Sequence, residues 1–150
     1  MSTSPGLIET ADCLCLASRQ AARTITRAFD RRLRVHGLRA TQFTLLASLA
    51  LQGERSVGEL AAFIGVDRTT LSRNMALAES RGLIASRRAD GDARARLVQI
   101  TPQGREVLSA AFASWREVQA SLTDAIGGEA ADRLRALARG RLQPRASAAA

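Results

Sequence analysis

From Ser56 to Gly104 the chain reads SVGELAAFIGVDRTTLSRNMALAESRGLIASRRADGDARARLVQITPQG. Its apolar period passes from helical to alternating and back within that stretch. Ser56 caps a short helix, and Glu59 three residues later completes a capping box. Leu60, Ala61 and Ile64 give that helix its apolar face, and Gly65 makes a turn. Asp67 caps a second helix that runs to about Arg81 and ends at Gly82. Leu83–Arg88 and Arg94–Ile100 then read as strands around Ala89-Asp90-Gly91-Asp92-Ala93. A helix offered to a major groove, followed by a cationic hairpin that can reach the next minor groove, is a device for reading DNA.

The flanks are helical. Leu7, Ala11, Leu14, Ala21, Ile25, Ala28 and Phe29 recur mostly at three, four or seven, so a helix is predicted from Leu7 to about Val35, ended by Gly37. Thr41 is the expected N-cap of a second helix to Leu51, with Phe43, Leu45, Leu46 and Leu49 as core. After the hairpin, Thr101-Pro102 restarts a helix that carries Val107, Leu108, Phe112, Trp115, Val118 and Leu122. Gly127-Gly128 breaks it, and a last helix runs from Glu129 to about Leu142 through Leu134 and Leu137. The ends, residues 1–6 and the low-complexity tail 143–150, are expected to be mobile. The expected fold is therefore mainly α with a small β-hairpin. Residues 1–150 form one domain, with the DNA-binding lobe at 41–101 and flanking helices at 7–36 and 102–142.

Charge narrows the partners. The formal net charge is +8, and all 22 basic residues are arginine. Such a chain suits a polyanion, either a nucleic acid or an acidic membrane surface; it could also be a basic protein with no charged target. Guanidinium suits phosphate and guanine edges because its donors form a planar fork. No apolar run approaches the ~18 residues of a membrane span, and MSTSPG is polar, so no membrane partner and a cytoplasmic location are expected. Aromatic residues make up 3%, too few for a platform that stacks single-stranded bases. No acid–base cluster, phosphate loop or nucleophile motif is present, so no enzyme activity and no cofactor are expected.

Within the helix pair, Arg68, Thr69, Ser72 and Arg73 fall near the exposed start of the second helix. Positions 69, 72 and 73 share one face, where base-reading side chains are carried. Taken alone, Arg68 and Arg73 also read as solvated surface charges. In the hairpin, Arg87, Arg88, Arg94 and Arg96 flank a loop holding Asp90 and Asp92. An arginine at a thin hairpin tip can enter a narrow minor groove, and an aspartate two residues away can hold its guanidinium in place. The bland alternative is a soluble hairpin of mixed charge.

These residues carry a resemblance. Asp92-Ala93-Arg94 followed by Leu97-Val98-Gln99-Ile100-Thr101-Pro102-Gln103-Gly104 resembles the wing signature of MarR-family regulators. Leu71-Ser72-Arg73 is similar to the Leu-Thr-Arg of that family's recognition helix, with serine for threonine. Arg81-Gly82-Leu83-Ile84 is similar to its helix-ending run, and Gly37-Leu38 with Gln42-Phe43 and Leu45-Leu46 to its entry into the second helix. The order of elements agrees from about residue 8 to about 140. The resemblance implies a mainly α winged helix-turn-helix with a small β-hairpin wing and a dimer joined through the N- and C-terminal helices, with Arg94 as wing arginine, Asp92 as its orienting partner, and Ser72 and Arg73 as recognition-helix contacts. It also implies a repressor on palindromic double-stranded DNA, released by a small effector bound near the first and second helices.

Cys13 and Cys15 depart from the family's commonest forms. On one straight helix they would lie about 200° apart and could not grip one ion together. Cys15 falls on or near the apolar stripe and is expected to be the more buried; Cys13 is expected to be the more accessible. They are either small buried hydrophobes or a redox or thiophilic-metal site shared with another segment or subunit. His36, the single histidine, is expected to cap a helix or sit on the surface. A thiol enzyme using Cys13 or Cys15 with His36 would need them to meet across subunits, about 30 Å apart along one helix. An RNA-binding or architectural winged helix is a further alternative, separable by sequence preference on duplex DNA.

Overall fold

The structure, a computed structural model, describes residues 9–89 and 92–140, without the side chains at 9 and 92–94. The predicted helix start at Leu7, the hairpin tip Asp90-Gly91 and the tail 143–150 lie outside the described residues. The chain divides into two compact units, Met1–Trp115 and Arg116–Ala150.

In the first unit, the predicted single N-terminal helix is instead three pieces. A 3-10 turn, Glu9–Asp12, leads to an extended Cys13 (φ −64°, ψ 122°), then to helix α1, Leu14–Leu33, and a second 3-10 turn, Arg34–His36. Thr10, Asp12 and Cys13 are weak helix formers, so the helix starts only after them. The Cys13 carbonyl accepts the first helical N–H, from Ala17, at 2.9 Å. Gly37, at φ +67°, turns the chain out of the second 3-10 turn, where a side chain would be strained. Leu33 is fully buried and Phe29 packs against the core, while every residue from Leu14 to Thr24 is exposed.

Helix α2, Ala40–Gln52, begins one residue before the predicted Thr41 cap. The reason is tertiary. The Asp30 carboxylate of α1 accepts from Ala40 N at 2.7 Å, and Gln42 Oε1 accepts from Arg39 N at 3.0 Å. Two orphan donors of the first turn are thereby met without Thr41. Thr41 Oγ1 instead donates to Asn74 Oδ1 at 3.4 Å.

A short strand β1, Arg55–Ser56, precedes helix α3, Val57–Ile64, and helix α4, Arg68–Ser80. Strands β2, Ile84–Ala89, and β3, Asp92–Ile100, form the hairpin. The three strands make an antiparallel sheet in the order β1-β3-β2. Two residues are too few to show a period, so no sequence pattern marks β1. The β2–β3 register runs from Ile84↔Ile100 to Arg88↔Arg96 and then jumps to Ala89↔Asp92. Residues 93–95 therefore have no partner on β2, and the backbone of Arg94 lies at the centre of a bulge.

Leu45, Leu46 and Leu49 of α2, Leu60 of α3, Leu71 and Met75 of α4, and Val98 of β3 are all buried in one cluster. Each contributes roughly 1.5–3 kcal/mol of burial. Helix α5, Pro102–Ile126, enters against this core and continues past Trp115. Thr101 Oγ1 accepts from Gly104 N at 3.0 Å and donates to the Gly82 carbonyl at 2.6 Å. Gly104 is buried so close to the Leu83 carbonyl that a Cβ there would collide with it. This explains the Thr-Pro-Gln-Gly signature: threonine caps the helix, and glycine lets it approach the sheet.

The second unit holds the end of α5 and helix α6, Gly128–Ala138, separated by Gly127 at φ +85°. Helix α6 stops four residues short of the predicted Leu142, because Gly140 adopts φ +65° and its N–H closes onto the Leu137 carbonyl. Val118 and Ala131 are buried; Leu134 and Leu137 are 45% and 56% exposed.

Candidate nucleic-acid interface

The helix pair is held by caps that the sequence predicts. Ser56 Oγ accepts from Glu59 N at 3.2 Å, and Glu59 Oε2 accepts from Ser56 N at 2.8 Å. The Ser56 backbone N–H, then its hydroxyl, hold the Glu59 carboxyl below the usual range. Gly65, at φ +76°, turns the chain, and Asp67 Oδ1 accepts from Thr70 N at 2.8 Å. Hydrogen bonds from the Thr70 hydroxyl and then its N–H lower the Asp67 carboxyl as well.

Helix α4 buries Leu71, Met75 and Ala78, spaced four and three apart on one face. Packing of that face leaves Arg68, Thr69, Ser72 and Arg73 exposed. Arg68 does not project freely. Its guanidinium lies across α3, where a Cβ built on Gly58 would be 2.9 Å from Arg68 Nη2.

The wing arginines divide into two groups. Arg87 Nε and Nη2 donate to the two Glu54 carboxylate oxygens at 2.9 and 2.8 Å, a bidentate pair. Arg96 Nη2 donates to Glu79 Oε2 at 2.6 Å, and its Nε donates to Ser86 Oγ at 2.7 Å. Ser86 Oγ in turn donates to Glu79 Oε1 at 2.5 Å. The Ser86 hydroxyl first, and Arg96 after it, lower the Glu79 carboxyl. Arg87 and Arg96 are thus tied within the lobe, fixing β1 and α4 to the hairpin. Arg88 is exposed; the side chains of Asp92 and Arg94 lie outside the described residues. Glu54 and Glu79 are 33 and 17 residues from their arginines. No local pattern in the sequence marks such partners.

His36 is half-buried, and its Nε2 lies 2.9 Å from Ser114 Oγ of α5. It joins two elements rather than capping a surface helix. Both cysteines are exposed, so neither is one of the small buried hydrophobes that Cys15's place near the apolar stripe suggests. The part of α1 that carries Cys15 extends beyond this unit's core, and its residues from Leu14 to Thr24 are exposed. Cys13 precedes the helix, so the 200° separation of two positions on one helix does not apply to the pair. Among the described residues no group of three or more His, Cys, Asp or Glu side chains is placed to hold a metal, and no helix is long and apolar enough to cross a membrane.

A helix pair with its second helix exposed, set beside a wing on a three-stranded sheet, defines a winged helix-turn-helix protein. The family model described as MarR family matches residues 36–95. The crystal structure of the M. tuberculosis transcriptional regulator MosR in complex with DNA is 39% identical, with a TM-score of 0.71, over 87% of this chain and 99% of that one. A mutant of E. coli MarR complexed with operator DNA shares the fold at 20% identity and a TM-score of 0.75, over 89% of this chain and 98% of that one. The uncharacterized HTH-type transcriptional regulator YdgJ of Bacillus subtilis (strain 168) is 33% identical over 70 residues, which span 47% of this chain and only 43% of that protein. The chain belongs to the MarR family, and is a transcriptional regulator rather than an enzyme.

Proposed function

We propose that this protein is a cytoplasmic, homodimeric repressor that binds a palindromic operator in double-stranded DNA and is released by a small-molecule effector. The observation that carries this reading is the exposed face of α4, with Thr69, Ser72 and Arg73 presented beside the wing of the same lobe. Relatives solved with DNA support it: MosR in complex with DNA and E. coli MarR with operator DNA. Ser72 and Arg73 read base edges, Arg68 and Arg88 meet phosphates, and Arg94, oriented by Asp92, enters the minor groove. Arg87 and Arg96, each held by a carboxylate, shape the wing.

The dimer forms through residues 7–36 and 102–142, with 41–101 as the reading lobe and 143–150 as a tail. Support comes from apolar side chains left uncovered at both ends: Leu14 is 85% exposed, Phe112 49% and Leu137 56%. A helix exposed along half its length needs packing to be stable in water. Two lobes related by a two-fold axis would meet half-sites about 34–36 Å apart.

Anisotropy with a mapped operator tests the reading. Arg94→Ala should weaken binding by about 1–3 kcal/mol, with Asp92→Ala giving a smaller loss. Arg73→Ala should change which bases are preferred. Equal affinity of Arg94→Ala and wild type at the same salt would remove the wing contact. Equal affinity for all duplexes would favour an architectural role.

A second reading has its own observation, the exposure of Cys13 and Cys15 outside one shared helix. Here a peroxide takes two electrons from the pair, forming a disulfide and releasing water, and DNA affinity falls. Peroxide should then release wild type but not Cys13→Ser. DNA binding unaffected by oxidants, reductants and thiophilic metals makes the pair structural.

A further inference from the structure

Gly58 is the second residue of α3 and has no positive φ, so its backbone conformation does not call for glycine. Glycine at a helical position lowers stability relative to alanine. The three atoms that a Cβ at Gly58 would meet first are Nη2, Cζ and Nε of Arg68, at 2.9, 3.6 and 3.9 Å. The missing side chain is thus the space in which the Arg68 guanidinium rests. These are the far atoms of a flexible side chain. A methyl group there would displace the guanidinium and leave the helix backbone in place.

Charge does not hold Arg68 in that place. The acids next to Gly58 and Arg68 in sequence are engaged elsewhere, Glu59 with Ser56 and Asp67 with Thr70. Among the described residues Arg68 makes no hydrogen bond or ion pair. Arg87 and Arg96, by contrast, are each closed on a carboxylate. Arg68 also begins α4 while resting on the first turn of α3, so its charge adds to the positive ends of two helices. This placement works against folding electrostatically and in favour of a bound anion.

We infer that Gly58 is a positioning residue for DNA binding: having no side chain, it seats the Arg68 guanidinium across α3 and so aims it at one backbone phosphate. The inference rests on the reading above that Arg68 meets a phosphate, and it adds what holds Arg68 ready. A guanidinium already seated loses less side-chain freedom when the phosphate arrives. Its planar fork must also be aimed if it is to donate twice to one phosphate. Arg68 is therefore placed by shape, with its charge left for the DNA.

The test is a double-mutant cycle on the full chain with Gly58→Ala, Arg68→Ala and both together. Anisotropy with the mapped operator duplex is measured over a range of chloride concentrations. Gly58→Ala should keep or raise the melting temperature and yet bind about threefold or more weakly. A lower melting temperature means that the methyl group meets more than Arg68, and overturns the seat. Arg68→Ala should bind at least as weakly as Gly58→Ala, with the salt slope reduced by about one. In the Arg68→Ala background, Gly58→Ala should change affinity by less than about twofold. Equal losses in both backgrounds, or wild-type affinity of Gly58→Ala, overturn the positioning role. The seat is also read without DNA, from the heteronuclear NOE of Arg68 Nε in the ¹⁵N-labelled protein, assigned by its loss in Arg68→Ala. That NOE should show a restrained group in wild type and a freer one in Gly58→Ala; equal values overturn the seat. Wild-type affinity of Arg68→Ala overturns both the phosphate contact and the positioning role. A protein that binds no DNA at all defeats the proposed function, while the NOE still decides the seat.

Discussion

Arginine is the only cation with a large side chain in this protein, so what each one does depends on its neighbour. Arg73 and Arg88 are exposed, while Arg87 and Arg96 are held by Glu54 and Glu79. Both pairs are partly solvated, so each should contribute only about 0.2–1 kcal/mol to stability. Glu79→Gln is therefore expected to lower stability by less than about 1 kcal/mol in denaturant melts. It should weaken DNA binding less than Arg73→Ala in anisotropy. A larger effect of Glu79→Gln on binding would mean that Arg96 reaches the DNA.

The same acids give a pH dependence. Glu59, Asp67 and Glu79 have carboxyl groups lowered by folding, through Ser56, Thr70 and Ser86 respectively. The unfolded chain thus takes up protons at higher pH than the folded one. Their contribution is complete above the ordinary carboxylate values, near pH 4, and is lost as pH falls through the lowered values. Thermal melts should be flat in these groups from pH 8 to 6 and should decline below about pH 4.5. Glu79→Gln should make that decline shallower; an unchanged slope would show that Glu79 titrates normally.

Among the elements, the start of α5 depends most on one atom. Gly104 lies against the Leu83 carbonyl, which neither helix nor sheet can move without breaking β2 from α5. Gly104→Ala is expected to cost about 1–3 kcal/mol or more, measured by urea unfolding, although alanine is the better helix former. A neutral or stabilising result would mean that α5 shifts freely. Asp30 acts across elements by capping α2 from α1. Asp30→Ala should cost about 1 kcal/mol, close to the loss of an N-cap.

At the scale of the whole molecule, light scattering should give a dimer at micromolar concentration. Leu14 and Leu137, bare in the single chain, are where polar substitution should shift the equilibrium toward monomer. A monomer that still binds the operator would overturn the symmetric arrangement. Because both cysteines are exposed in the chain, Cys13→Ser and Cys15→Ser should each change monomer stability by less than about 0.5 kcal/mol. A larger cost for Cys15→Ser in the dimer alone would place it at the subunit contact.

Helices α3, α4 and α5, the capping box at Ser56 and Glu59, the Asp67 cap and the two long strands were legible from the residues alone. Each rests on interactions within a few positions, where period and cap chemistry act. So was the exposed face of α4, because burying Leu71, Met75 and Ala78 leaves Ser72 and Arg73 no other direction. Tertiary structure decided what depends on distant partners. Asp30 moved the start of α2, Ser114 met His36, and Glu54 and Glu79 engaged two of the four hairpin arginines. The sequence showed four equivalent cations because charge is a property of a residue. Pairing is a property of position, and only the folded chain brings residue 54 to residue 87.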